Sequence, residues 1–311
     1  MLYKLKQKTP VASKNIYMTN SKKVHKKVSK SVEPYIYLVP CVILSIMFGY
    51  YPFIRTVLYS FSLVDFNGNI LEFIGFSNYK DILTDKNFYI VLKNTLYHVA
   101  MAVPAGIIIS YSLALLANKK RKFSSVYETM FSFPMAVSMS AVSIIFKTML
   151  NPRMGLINYI FGLDLKWFND PDTAMISITI VSVWMGIGFD FLLFLAALRN
   201  VPKELVEAAE IDGASFLYKL KNIYIPMTSP TLFFVLCTNA VGAMMMSGPS
   251  MVITNGGPKG STKTIIYHLY ETGITSANYS YASTIGVIVF LMTFLLLLFC
   301  FRYEKKGVYY Q

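Results

Sequence analysis

Polar and small residues recur on one face of an otherwise apolar stretch of this chain. Thr179, Ser182, Gly186 and Asp190 follow helical offsets of 0, 3, 7 and 11, which places them along a single stripe. Asn239, Gly242 and Met246 repeat the pattern at 0, 3 and 7, with Ser247 and Gly248 beside them. The chemistry such groups offer is non-covalent. Hydroxyls and amides match the polar groups of a solute, and an aromatic ring covers its C–H surface. Ser182, Gly186 and Asn239, with Trp184 and Met246 close by, therefore form a candidate solute path. Helix packing explains the same residues, because Gly and Ser permit close approach and Asn and Thr bond across helices. Asp190 is the one acid well inside an apolar run; proton carriage and a conformational lock both suit it.

Covalent chemistry finds no support. Gly257-Pro-Lys-Gly-Ser-Thr-Lys263 has the composition of a phosphate-binding loop in the wrong order. His25, His98 and His268 are far apart and show no metal spacing. No Cys/His or Ser/His/Asp arrangement stands at informative spacing. No catalytic residue, metal or bound cofactor is expected. Cys41, Cys237 and Cys300 all fall in apolar runs and read as packing residues.

The elements that must position the two stripes are set by the solvent. The chain has 311 residues, is 55% hydrophobic and 14% charged, and has a mean hydropathy of +0.49. Soluble domains carry about 25% charged residues. The deficit sits in repeated apolar runs of about 20 residues, the length that crosses a bilayer. Six spans are expected, at Tyr35–Phe61, Tyr89–Ala117, Ser124–Leu150, Asp172–Leu198, Met227–Val252 and Tyr279–Phe301. Pro52, Pro104, Pro134 and Pro249 lie within or near them, where neighbouring helices re-satisfy the freed carbonyls.

Basic residues set the orientation. With the N-terminus inside, twenty of the 29 Lys and Arg fall on inner segments and six on outer loops, a positive-inside pattern. Both termini are thus expected in the cytoplasm of a multi-pass cell-membrane protein. The first apolar run is too long for a cleaved signal peptide. The domain reading is a Lys-rich cytoplasmic segment at 1–34, a six-helix transmembrane domain at 35–301 and a cytoplasmic tail at 302–311. The net charge of +13 is explained by topology, so no nucleic-acid partner is expected. Membrane lipid is, and Lys22, Lys23, Lys26, Lys27 and Lys30 suit anionic headgroups.

Between the two stripes lies a segment of soluble character, 200–226, on the inner side. Asn200 suits an N-cap and Pro202 a first helical turn. Glu204, Glu207 and Glu210 fall three apart near the positive end of the helix dipole. Ala208 and Ala209 allow another surface close, and Gly213 permits a turn that a Cβ resists. Two short helices bent at Gly213, beneath the membrane, are predicted. The spacing Glu207-Ala208-Ala209, three residues, Gly213, nine residues, Ile223-Tyr224-Ile225-Pro226 resembles the coupling loop of bacterial ABC importer permeases. Ile225 stands where that family usually has Leu. Asp212 beside Gly213 is typical of its sugar-importing members.

Flanking motifs resemble the same group. They are Gly75-Phe-Ser-Asn78-Tyr79, Asn94-Thr95-Leu96 at the start of the next helix, Gly155-Leu-Ile-Asn158, and Thr254-Asn-Gly-Gly257-Pro258 followed by Tyr281-Ala-Ser. Together they point to permeases of the maltose, multiple-sugar and glycerol-3-phosphate type. The resemblance implies an all-α polytopic protein with the type I ABC importer permease fold. It implies a second homologous permease, two cytoplasmic ABC ATPase subunits that hydrolyse ATP, and an extracellular solute-binding protein. It assigns Glu207 to anchoring on the ATPase, Ala208 and Ala209 to close contact, Gly213, next to Asp212, to the bend, and Pro226 to the start of the next span. A non-sugar solute and a gradient-driven transporter are the alternatives.

Overall fold

The computed structural model describes residues 33–119 and 122–307. The Lys-rich lead and the last four residues of the tail lie outside them. The chain divides at Pro52. Before that point, helix α1 (Glu33–Ser45) accommodates Pro40 and runs into a π turn at Ile46–Tyr50. From Tyr35 on its side chains are mostly apolar and exposed, which suits a helix whose solvent is lipid. Helix α2 (Tyr51–Ser60) completes an apolar segment over Tyr35–Ser60.

After Pro52 the chain forms a helical bundle with one small sheet. Strands β1 (Ser62–Val64) and β2 (Ile70–Phe73) pair antiparallel, a hairpin inside what the sequence presents as a plain loop. Asp65 at its turn accepts from the backbone N–H of Asn67 and Asn69. Then come α3 (Ser77–Thr84) and α4 (Lys86–Asn118), 33 residues long. Asp85 caps α4 by accepting from the Asn87 amide, so α4 begins two turns before Asn94 rather than at it. Helix α8 (Pro171–Arg199) is capped by Asp170, has Pro171 in its first turn, and carries Arg199 at the end where the dipole favours a cation. Helix α14 (Tyr279–Gly307) holds the last span, Tyr279–Arg302.

Two of the six spans are broken. The third consists of Ser124–Ala136, containing α5 (Ser124–Ser132), and Met139–Met149, which is α6, bent by 103°. Pro134 ends the first part, and Ser138 caps the second by accepting from Ala141. After α7 (Leu156–Phe161) and α8, the connecting helices are α9 (Lys203–Ile211), α10 (Phe216–Lys219) and α11 (Ile225–Met227). Phe216–Met227 then joins α12 (Ser229–Met244) at a 73° bend to make the fifth span. The continuous Met227–Val252 expected there ends instead at Met244, and Ser250–Thr254 is a π turn. The break has a cause, since Pro226 and Pro230 each remove a backbone donor. Helix α13 (Ile265–Tyr270) precedes α14.

The core lies between α4 and α8. Tyr111, Ala114 and Ala117 of α4 pack on Phe191, Phe194, Leu195 and Leu198 of α8, with Val235 of α12 closing the cluster. Tyr111 meets Phe194 edge to face at 5.1 Å, and Phe131 meets Phe191 at 5.5 Å. The family-like motifs supply polar clips around this core. Buried Asn78 donates to the carbonyls of Ser60 and Ser62 at 3.0 and 3.2 Å. Asn94 donates to Gly260 and Lys263, and Thr95 accepts from the Ile265 amide. Asn158 accepts from the Trp167 indole at 2.7 Å.

Gly188 is the glycine that packing requires on α8. A Cβ there would stand 2.7 Å from the Ser132 carbonyl and 3.1 Å from the Met135 nitrogen, both backbone atoms of the broken third span, whereas a Cβ at Gly186 meets nothing within 4 Å. Gly188→Ala is expected to cost about 1–3 kcal/mol through overpacking, and Gly186→Ala no more than about 0.5 kcal/mol. Thermal unfolding in detergent compares the two; equal midpoints would remove the packing role of Gly188.

Candidate functional site: a membrane cavity and a bent helix pair

Helices α4, α8 and α12 enclose a cavity of about 200 Å³. Ser182, Gly186 and Asp190 line it from α8, Asn239, Gly242 and Ala243 from α12, and Met246 just beyond. Four of the five path residues read from the sequence thus share one wall. Trp184 does not: its ring packs at 5.4 Å on Phe146, in an apolar cluster with Val142 and Ile178. Helix α4 contributes His98, Ala102 and Gly106, which the two stripes did not disclose. Thr179 belongs to its stripe through His98, whose Nδ1 lies 2.9 Å from the Thr179 hydroxyl.

The cavity wall is tied across helices by one bond. Asn239 Nδ2 donates to Asp190 Oδ2 at 2.6 Å. Gly106 of α4 faces the pair, and a Cβ there would only reach ordinary contact, 3.6 Å from that amide nitrogen and 4.0 Å from the carboxyl oxygen. The Ser182 hydroxyl is buried with no hydrogen-bond partner among the described residues. The cavity therefore holds polar groups that the protein alone does not satisfy, the condition in which a polar solute or water is bound.

Between α8 and α12 the chain makes the bent helix pair. Asn200 closes α8 instead of capping the next helix, and Pro202 stands one residue before α9, with no side-chain cap. Asp212 ends α9, its amide donating to the Ala208 carbonyl at 3.0 Å. Gly213 follows with φ +73° and open space where a Cβ would point, so the left-handed turn alone demands glycine. Ser215 caps α10 by accepting from the Tyr218 amide at 3.3 Å. Lys219 then donates to Glu210 at 2.7 Å, closing the bend. Its hydrogen bond and charge hold the exposed Glu210 carboxyl below the ordinary carboxylate range. For a depressed acid, the clasp is present above that ordinary range and is lost as pH falls through the lowered value. Glu210 is thus at the end of α9, not at the positive pole of its dipole; of the three acids, Glu204 alone is in the first turn.

Beside its exposed acids the pair presents large apolar side chains. Ile211 is 87% exposed and Leu217 72%, with Phe216 and Tyr218 each at 57%. Ala208 is exposed and Ala209 half-buried. Exposed Glu207 makes no ion pair among the described residues. With Lys119, Arg199, Lys203 and Glu210 it lines a recess of about 560 Å³. Arg199 is itself anchored, donating to Glu128 of α5 at 2.6 Å.

A partly unsatisfied polar cavity lined by α4, α8 and α12, joined to an exposed helix pair, fits a membrane transport subunit. Residues 102–304 match the family described as binding-protein-dependent transport system inner membrane component. Among similar proteins, the sn-glycerol-3-phosphate transport system permease protein UgpA of Pectobacterium atrosepticum is 32% identical over 94% of this chain and 100% of its own length. The probable ABC transporter permease protein YurN of Bacillus subtilis is 30% identical over 88% of this chain and 96% of its own. In fold, a bacterial ABC transporter involved in import of the acidic polysaccharide alginate matches with a TM-score of 0.79 at 22% identity, over 89% of this chain and 98% of that one. The chain belongs to the binding-protein-dependent transport inner membrane components, the multi-pass permease subunits of ABC importers. It is a transport component and not an enzyme, and the gradient-driven alternative falls with that assignment.

Asn239→Ala leaves the buried Asp190 carboxyl without its donor, a loss of about 1–3 kcal/mol. The thermal midpoint should fall, and adding Asp190→Ala should restore part of it. A double variant no more stable than the additive expectation would show that the two side chains do not act as a pair.

Proposed function

We propose that this chain is one permease of an ATP-driven importer for a sugar or related polar solute. It forms half of the translocation path with a second homologous permease, and two cytoplasmic ATPases and an extracellular solute-binding protein complete the assembly. Residues 1–34 and 302–311 flank the 35–301 transmembrane domain on the cytoplasmic side, with anionic lipid held by the basic lead. The observation that carries the reading is the bent helix pair. It connects the two spans whose polar faces line the cavity, and it presents an unpaired carboxylate beside an apolar face, including 87%-exposed Ile211. Exposed apolar clusters rimmed by charge mark protein contacts.

On this reading Glu207 anchors the pair to the ATPase, and Ala208 and Ala209 let the surfaces meet closely. Asp212 and Gly213 hold the bend, and Pro226 turns the chain into the fifth span. Closure of the ATPase dimer on ATP moves the pair, and the movement reaches Asp190 through α8 and Asn239 through α12. The solute path runs along Ser182, Gly186, Asn239 and Met246; Trp184 supports it from behind. Glycerol 3-phosphate is the second reading, favoured by the name of the 32%-identical relative.

Glu207→Lys tests the coupling. The variant is expected to reach the membrane, lose ATPase association in a pull-down, and lose ATP-dependent uptake in proteoliposomes containing the full complex. Normal pull-down together with normal uptake would falsify the anchoring role.

A further inference from the structure

The hydrogen-bond directions inside the cavity specify more than its location. Thr179 has a single hydroxyl hydrogen, and it is donated to the Met175 carbonyl at 2.8 Å. Its oxygen therefore accepts from His98, 2.9 Å away, and the hydrogen of the neutral ring is fixed on Nδ1. The other ring nitrogen, Nε2, is left as a lone-pair acceptor. His98 is 1% exposed and lines the cavity, so this orientation is held by packing and by Thr179 together. From α12, Asn239 spends one amide hydrogen on Asp190, leaving its second amide hydrogen as a donor and its own carbonyl and the second carboxyl oxygen as acceptors. Ser182 adds a hydroxyl with no partner among the described residues.

Acceptors thus outnumber donors in the cavity. Among the described residues that line it there is no lysine or arginine, and Asp190 is the one carboxylic acid. An anionic solute would bring acceptor-only oxygens and negative charge to a wall of acceptors and an acid, inside a low-dielectric bundle where such repulsion is strong. A polyhydroxyl solute brings donors that every one of these groups can use. We infer that the cavity is an anion-excluding filter, with His98 and Asp190 as specificity-determining residues, and that the solute is an uncharged polyhydroxyl compound rather than a phosphate ester or a uronate. The inference rests on the importer reading and deepens it, and it departs from the cargo in the names of the similar proteins.

A charge-probe experiment tests the filter without knowledge of the solute. Gly186→Cys places a thiol on the cavity wall in open space. The full complex, turning over ATP, is treated in parallel with hydroxyethyl methanethiosulfonate, which is neutral, and sulfonatoethyl methanethiosulfonate, which is anionic. Reaction at position 186 is read from the mass of the tryptic peptide 167–199. Rates are normalised to those of 2-mercaptoethanol in solution. The neutral reagent is expected to react at least about tenfold faster, and adding Asp190→Asn should close most of that gap. His98→Lys, which replaces an acceptor by a charged donor, should invert the preference. Equal rates for the two reagents at Gly186→Cys overturn the inference without any second variant, and so does a thiol that reacts with neither. The importer reading is judged separately by ATP-dependent uptake, so the two failures are distinguishable.

Discussion

The bond between Asn239 and Asp190 is the contact on which the transport architecture turns. It joins α8 to α12 at the cavity, and each partner would be costly to leave alone in a bilayer. Such bonds contribute modestly when made and cost more when one side is removed. The pair is therefore a better register mark than a glue. It fixes the rotation of two helices about their axes, and with it the direction in which Ser182, Gly186 and Gly242 face.

The surrounding structure keeps that register without crowding the cavity. Gly188 on α8 brings the broken third span to within contact of its backbone, while Gly186, half a turn away, faces open space. The aromatic cluster of Tyr111, Phe194, Phe191 and Phe131 fills the volume on the other side of Asp190. Packing density and vacancy are thus segregated along one helix. Rigidity is supplied by rings and close backbones on one face, and space by glycines and short side chains on another.

Much of this was legible in the residues, and the part that was not has a physical reason. The stripe on the fourth span, and Asn239 and Gly242 on the fifth, hold because helical periodicity places residues on a face regardless of tertiary context, whereas Met246 lines the cavity from beyond the end of α12. Four of the five proposed path residues meet in one cavity. Trp184 fell on the wrong side because it is two residues from Ser182, a step of about 200° that carries it to the far face. His98 and Gly106 escaped notice because each is a lone residue on a long helix with no periodic companion, and what gives His98 its role is a hydroxyl on another span. The breaks at Ser124–Met149 and Phe216–Met244 were hidden for a similar reason. Proline marks where a helix can bend, but whether it bends by a few degrees or by 103° depends on what packs against it. Asn200 was misplaced because the same residue type suits the end of one helix and the start of the next.

Only Asn200, Val201 and Pro202 separate α8 from α9, and Val201 is buried. Three residues reach about 10 Å fully extended, and here they are neither extended nor free to become so. At the other end, Thr228 alone lies between Phe216–Met227 and α12. The bent pair is therefore hung from both cavity walls on tethers without slack. A load applied to it has no loop in which to dissipate, and must reappear as a twist or a tilt of the very helices that carry Asp190 and Asn239. Short connections are usually read as economy of chain; here their shortness ties any displacement of the bent pair to the tilt of the two helices that line the cavity.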